Sequence, residues 1–137
     1  MDNPRILFWY RKDLRINDNL ALIKSLSISK AVTAIYVFDE NYSLDYSANS
    51  RAWFLGESLR ELNKSWEKAG SRLIFQKGDP KNLIPLVAKQ INAKYVSWNK
   101  SIEPYEIKRD LTIQKDLEKS NITIIDIWDH LLISPLE

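Results

Sequence analysis

Ile6-Leu7-Phe8-Trp9-Tyr10 runs straight into Arg11-Lys12-Asp13-Leu14-Arg15-Ile16-Asn17-Asp18-Asn19, and this junction decides how the 137-residue chain is read. Five consecutive apolar or aromatic residues, without alternation, suit a short strand covered on both faces, as in a parallel sheet. A strand that stops dead in a charged turn delivers polar groups to its C-terminal end. Open α/β sheets build their ligand sites along that edge.

Working outward, the strand-then-helix alternation continues to the end of the chain. A helix is predicted over about Asp18–Leu26, capped by Asn17 or Asp18, with Leu20, Ile23 and Leu26 on one apolar face. Ala31–Phe38 is a second strand, and Asp39–Asn49 a polar loop. The clearest helix follows: Ala52, Leu55, Leu59, Leu62, Trp66 and Ala69 recur in steps of three and four, and Gly70 stands where a left-handed residue closes a helix. Leu73–Gln76 is a third strand. Gly78-Asp79-Pro80 supplies a turn, an N-cap acid and a proline at the first helical position, opening a helix that carries Pro85 and reaches about Asn92. Tyr95–Trp98 is the fourth strand, Glu103-Pro104 opens a helix reaching about Ser120, and Ile122–Trp128 is the fifth strand. Asp129–Glu137 has no period of its own. The prediction is an α/β fold of one domain, residues 1–137. It is a five-stranded parallel sheet, doubly wound and Rossmann-like, with helices on both faces.

Composition excludes several chemistries. The hydrophobic share of 45% and charged share of 28% suit a soluble globular domain. Net charge is +2, and the lysines and arginines are dispersed, so no basic patch points to nucleic acid. Without cysteine there is no disulfide or thiolate chemistry, and with His130 as the only histidine a His-based metal site or Ser-His-Asp triad is disfavoured. Gly56, Gly70 and Gly78 are the only glycines, so neither a Walker loop nor Gly-x-Gly-x-x-Gly exists. No apolar run spans a membrane and no signal-peptide core is seen, so the expected location is cytoplasmic, with neither membrane nor metal partner.

Two polar stretches stand at predicted strand ends. By spacing alone, Arg11–Asn19 reads as a solvated turn and helix cap, with Asp13 pairing locally with Arg15. Trp98-Asn99-Lys100-Ser101-Ile102-Glu103-Pro104-Tyr105-Glu106-Ile107-Lys108-Arg109-Asp110 reads as a strand end, a polar loop and a helix start with Glu103 as capping acid. Trp9, Trp53, Trp66, Trp98 and Trp128 read as core residues, since Trp66 lies on an apolar helical stripe and three others end strands.

Both stretches also carry a resemblance. Phe8 to Asn19 resembles the first strand and turn of the DNA photolyase/cryptochrome family, and Trp98 to Asp110 resembles its Trp-Asn-x-Asp-x-Glu-Pro-Tyr-x-x-x-Arg-Asp pattern. Ser50–Leu59 is similar to the family's second helix, and Gly70-Ser71-Arg72-Leu73 and Gly78-Asp79-Pro80 to the turns around its third strand. The resemblance covers essentially the whole chain, but only the N-terminal α/β domain of the family.

Much is implied by that resemblance. The parent protein would be a deoxyribodipyrimidine photo-lyase, repairing pyrimidine dimers in DNA by light-driven electron transfer, or a cryptochrome. FAD and damaged DNA would be bound by a helical domain absent from this chain, in cis or as a separate chain, so no catalytic residue is expected here. The α/β domain would hold an antenna pigment: methenyltetrahydrofolate, a deazaflavin or FMN. Its crevice would lie at the ends of the first, second and fourth strands, lined by Phe38, Asp39, Arg51, Ser101, Glu103, Tyr105 and Glu106. Ser101 replaces the aspartate usual in deazaflavin-binding members, which removes a charged acceptor. The alternatives are a stand-alone nucleotide-binding module of similar fold and a pigment-free interaction domain.

Overall fold

β1 (Ile6–Tyr10) is buried at every position, and its period-two alternation sorts the core into two halves. Ile6, Phe8 and Tyr10 belong to one apolar cluster, Leu7 and Trp9 to another. The structure, a computed structural model, describes residues 3–11, 14, 16, 19–39 and 49–128, with 49–55 described by backbone only. Along the chain follow α1 (Leu20–Ile28), β2 (Val32–Asp39), α2 (Asn49–Lys68), β3 (Leu73–Gly78), α3 (Pro80–Gln90), β4 (Tyr95–Asn99), α4 (Pro104–Lys119) and β5 (Thr123–Ile127).

The strands form one sheet in the order β3-β2-β1-β4-β5, parallel throughout. Central β1 pairs Ile6 with Val32 on one side and with Tyr95 on the other. Ala21 and Leu22 of α1 join Leu62 and Trp66 of α2 in the cluster on one face of the sheet. Ile84, Val87 and Ala88 of α3 join Ile113 and Leu117 of α4 in the cluster on the other. This is the predicted doubly wound arrangement. The winding reverses between β1 and β4, the topological switch point at which such sheets open a crevice.

Local chemistry sets the helix ends. α2 closes on Gly70 at φ +83°, with Ser71 N–H donating to Trp66 O and Gly70 N–H to Glu67 O, both at 3.0 Å. The ends of α3 and α4 use the same pair of bonds with a left-handed asparagine in place of glycine. Asn92 sits at φ 57° with Ala93 N–H on Ala88 O, and Asn121 at φ 60° with Ile122 N–H on Leu117 O. α3 therefore ends at Gln90, short of the expected Asn92. Asp79 caps α3 as predicted, its carboxylate accepting from Lys81 N–H at 3.0 Å with Pro80 in the first turn.

Two expectations about α1 are corrected. Its N-cap is Asn19, whose side chain accepts from Leu22 N–H at 3.2 Å. Asn17 and Asp18, like the expected Asp13–Arg15 pair, lie outside the described residues. The buried face is Ala21, Leu22 and Ser25, while Ile23 and Leu26 are about half exposed. Close approach explains the choice. Ser97 of β4 donates its hydroxyl to Ala21 O at 3.3 Å and Ser25 donates to the same oxygen at 2.8 Å, so the seam admits only small side chains beside Leu22. At the other end of the chain, β5 stops at Ile127. Trp128 follows it, half-buried, with Lys100 Nζ 5.6 Å from its ring.

Candidate functional site at the carboxyl ends of the strands

A cluster of charged side chains is sunk where β1 and β2 end beneath the first turns of α4. Asp39, the last residue of β2, accepts from Tyr105 Oη at 2.9 Å and from Arg109 Nη1 at 3.2 Å, both on its Oδ2. The other edges of the Arg109 fork face its own helix: Nη2 lies 3.5 Å from Glu106 Oε1, and Nε donates to Asp110 Oδ1 at 3.4 Å. Asp110 Oδ2 also accepts from Arg11 Nη1 at 2.7 Å, tying the residue after β1 to α4. Trp9 packs among them, its ring 4.9 Å from the Arg11 guanidinium carbon and 4.7 Å from that of Arg109. Trp98 meets Trp9 edge-on, with ring centroids 5.6 Å apart.

Arg109, Glu106 and Asp39 are at most 7% exposed, so these charges interact in a medium that screens poorly. Three carboxylates face two guanidiniums, an excess of one negative charge among the described residues. Burial raises the Asp110 carboxyl above the ordinary aspartate value, against the opposing pull of Arg11 and Arg109. Burial likewise lowers the Arg11 guanidinium, against the support of Asp110. The Tyr105 phenol is pushed up to about 12, by burial first and then by its hydrogen bond to Asp39 and that carboxylate's charge.

Of the predicted lining residues, the structure brings Asp39, Tyr105 and Glu106 together through Arg109. Phe38 packs, partly buried, against the cluster on the α1/α2 face, the opposite side of the sheet from Trp9. Ser101 accepts from Glu103 N–H at 3.1 Å, so it shapes the entry to α4. Glu103 occupies the N-cap position of α4 without a side-chain cap bond, which corrects its reading as a capping acid. The side chain of Arg51 lies outside what is described, as does that of Trp53.

Sequence reasoning missed Arg11, Arg109 and Asp110. One signal was available for the acid: Glu106, Asp110, Ile113 and Leu117 follow one another in steps of four, three and four, and all are buried. Two acids in phase with an apolar stripe mark charges that must be paired inside.

Next to this cluster two backbone donors at the N-terminus of α1, Ala21 and Leu22 N–H, are taken by side chains. Asn99, the last residue of β4, accepts from Ala21 N–H at 3.1 Å and donates to Asn19 Oδ1 at 2.8 Å, while Asn19 Oδ1 takes Leu22 N–H. In dinucleotide-binding folds the helix after the first strand turns these donors toward a phosphate. Here two buried side chains consume them.

What the arrangement can do follows from its donors and acceptors. Arg109 Nη2 is buried without an acceptor in hydrogen-bonding geometry among the described residues, beside carboxylates and aromatic rings. A flat heteroaromatic with both N–H and carbonyl groups on its edge matches that set. Among the described residues, no cluster of His, Cys, Asp and Glu is suited to a metal ion.

Fold and site together define a doubly wound α/β domain with a buried charged cluster at the carboxyl ends of its strands. The DNA photolyase family profile matches residues 6–137, and the chain belongs to that family. It is 39% identical over 132 residues to a deoxyribodipyrimidine photo-lyase of Synechococcus, covering 95% of this chain and 27% of that protein. It is 31% identical to a cryptochrome DASH of Synechocystis, covering 96% of this chain and 28% of that one. Among solved structures, the archaeal photolyase from Sulfolobus tokodaii superposes with a TM-score of 0.83 at 26% identity, covering 96% of this chain and 30% of that chain. That structure holds two FAD molecules, with the implication of a novel light-harvesting cofactor. The chain thus spans little more than a quarter of either curated relative, and it corresponds to their α/β domain.

Proposed function

We propose that this chain is the antenna domain of a deoxyribodipyrimidine photo-lyase or a cryptochrome. An antenna pigment sits in the crevice, and excitation passes to an FAD held by a helical domain in cis or on a separate chain. Damaged DNA is engaged through that parent protein, and residues 1–137 form the one α/β unit. The observation that carries this reading is the convergence of Asp39, Tyr105 and Glu106 on Arg109 at the carboxyl ends of the strands. When bound, the pigment supplies light absorption. The chain's own part is to accept ring N–H groups on Asp39 and Glu106, to offer the Arg109 edge to a ring carbonyl, and to exclude water with Trp9 and Tyr105. Phe38, Arg51, Ser101 and Glu103 complete the proposed lining.

The test is a fluorescence titration with methenyltetrahydrofolate, FMN and a deazaflavin. Saturable binding of one, weakened by Asp39→Ala, is the expected result. If none binds, the antenna reading fails and the chain stands as a pigment-free partner domain. The nucleotide-module alternative is disfavoured by the consumed donors of α1. ATP and AMP are expected to leave the melting temperature unchanged, and a clear upward shift with either would revive it.

A further inference from the structure

Arg109 holds more of the crevice than any residue the sequence singled out. Its three nitrogens address three carboxylates from two elements: Nη1 to Asp39 on β2, Nη2 toward Glu106 and Nε to Asp110 on α4. Its plane also lies against Trp9 at 4.7 Å and near Tyr105 at 5.8 Å. Asp39 and Glu106 are like charges in a poorly screened place, and left to themselves they would repel. A guanidinium wedged between them sets their separation, which a lysine ammonium, lacking the planar fork, does not do. Asp110 sets the fork in turn, because it holds Nε with one oxygen and Arg11 with the other.

We infer that Arg109 is the positioning residue of the crevice: it fixes the spacing and direction of the Asp39 and Glu106 carboxylates, and through them the orientation of a bound heteroaromatic ring. The inference rests on the antenna reading and extends it from which residues line the site to what aligns them. Arg109 acts through the acids as well as by its own edge. Its conservative replacement therefore changes how the ring lies as well as how tightly it is held.

The probes are methenyltetrahydrofolate and FMN, added to the purified chain. Two readouts are taken, the dissociation constant and the induced circular dichroism of the pigment band, with the melting temperature recorded alongside. Arg109→Lys is expected to weaken binding by roughly tenfold or more, the worth of a charge-assisted hydrogen bond. It should also change the sign or shape of the induced band in the fraction still bound. Ile113→Val, a core trim beneath the same helix, should lower the melting temperature while leaving both readouts intact. Should Arg109→Lys fail to fold, Asp110→Asn keeps the Arg109 cation but leaves a single uncharged oxygen where Nε and Arg11 Nη1 each had one, and the same spectral change is expected. An Arg109→Lys or Asp110→Asn protein with the parent's affinity and induced band overturns the positioning role alone. If the parent binds neither probe and no deazaflavin, the antenna reading is overturned and this inference with it.

Discussion

Asn99 Nδ2 donates to Asn19 Oδ1 at 2.8 Å across 80 residues of sequence, joining the end of β4 to the cap of α1. The pair does two jobs. It satisfies the N–H groups of Ala21 and Leu22 at the start of α1, and it fills the place where other doubly wound folds seat a phosphate. The asparagine of the Trp98-Asn99 motif is thereby explained as a structural clamp beside the crevice.

Removing that clamp takes the Asn99 acceptor from buried Ala21 N–H and leaves Asn19 Oδ1 with Leu22 N–H but no longer with the Asn99 amide. Asn99→Ala is expected to cost about 2 kcal/mol. Urea unfolding measures it, and a loss below about 0.5 kcal/mol would show that the pair contributes no more than an exposed bond.

Tyr105 gives a pH signature. Its phenol titrates at about 12 instead of 10.0, so the folded protein favours the neutral form. The stability this contributes is complete below about pH 10 and fades as pH rises through about 12. The stability difference between the parent and Tyr105→Phe should therefore hold constant up to pH 10 and shrink above it. A difference that is flat across this window contradicts the Tyr105–Asp39 bond.

Asp110 carries two arginines. Asp110→Ala takes from buried Arg11 and Arg109 the one carboxylate they share and should cost about 3 kcal/mol or more. Combining Asp110→Leu with Arg11→Met should cost less than the sum of the single changes, since each single change already removes the Arg11–Asp110 contact. Additive losses in denaturant unfolding would argue against direct pairing at 2.7 Å.

Arg51 lies in the first turn of α2, and in the antenna reading it meets a phosphate or glutamate tail of the pigment. Arg51→Ala should weaken pigment binding and leave the melting temperature nearly unchanged. Equal binding by variant and parent removes Arg51 from the lining.

For α3, the cap and proline act locally. Asp79→Ala is expected to cost on the order of 1 kcal/mol, and an unaltered melting temperature would refute the capping role.

These residues divide by how far their partners lie along the chain. β1 was legible because five apolar residues in a row admit little but a strand covered on both faces. The α2 stripe through Leu62 and Trp66, the Gly70 terminator and the Asp79-Pro80 start were legible because each is decided within one or two helical turns. The parallel order followed from alternation of strands and helices. Asp39, Tyr105 and Glu106 were placed by resemblance, and the fold brings them together.

Tertiary structure alone decided the rest. Arg109 meets Asp39 across 70 residues and Arg11 meets Asp110 across 99, and no local period encodes such pairs. The face of α1 was also a tertiary choice: by period Ile23 and Leu26 qualify for the core as well as Leu22 does. The seam against Ser97 is too narrow for them, and Ala21 and Ser25 fill it instead. Sequence by itself determined the elements and their winding, because backbone propensity and apolar periodicity are local quantities. Which charges share the crevice was settled by the sheet order, because only packing brings distant side chains within a few ångströms of each other.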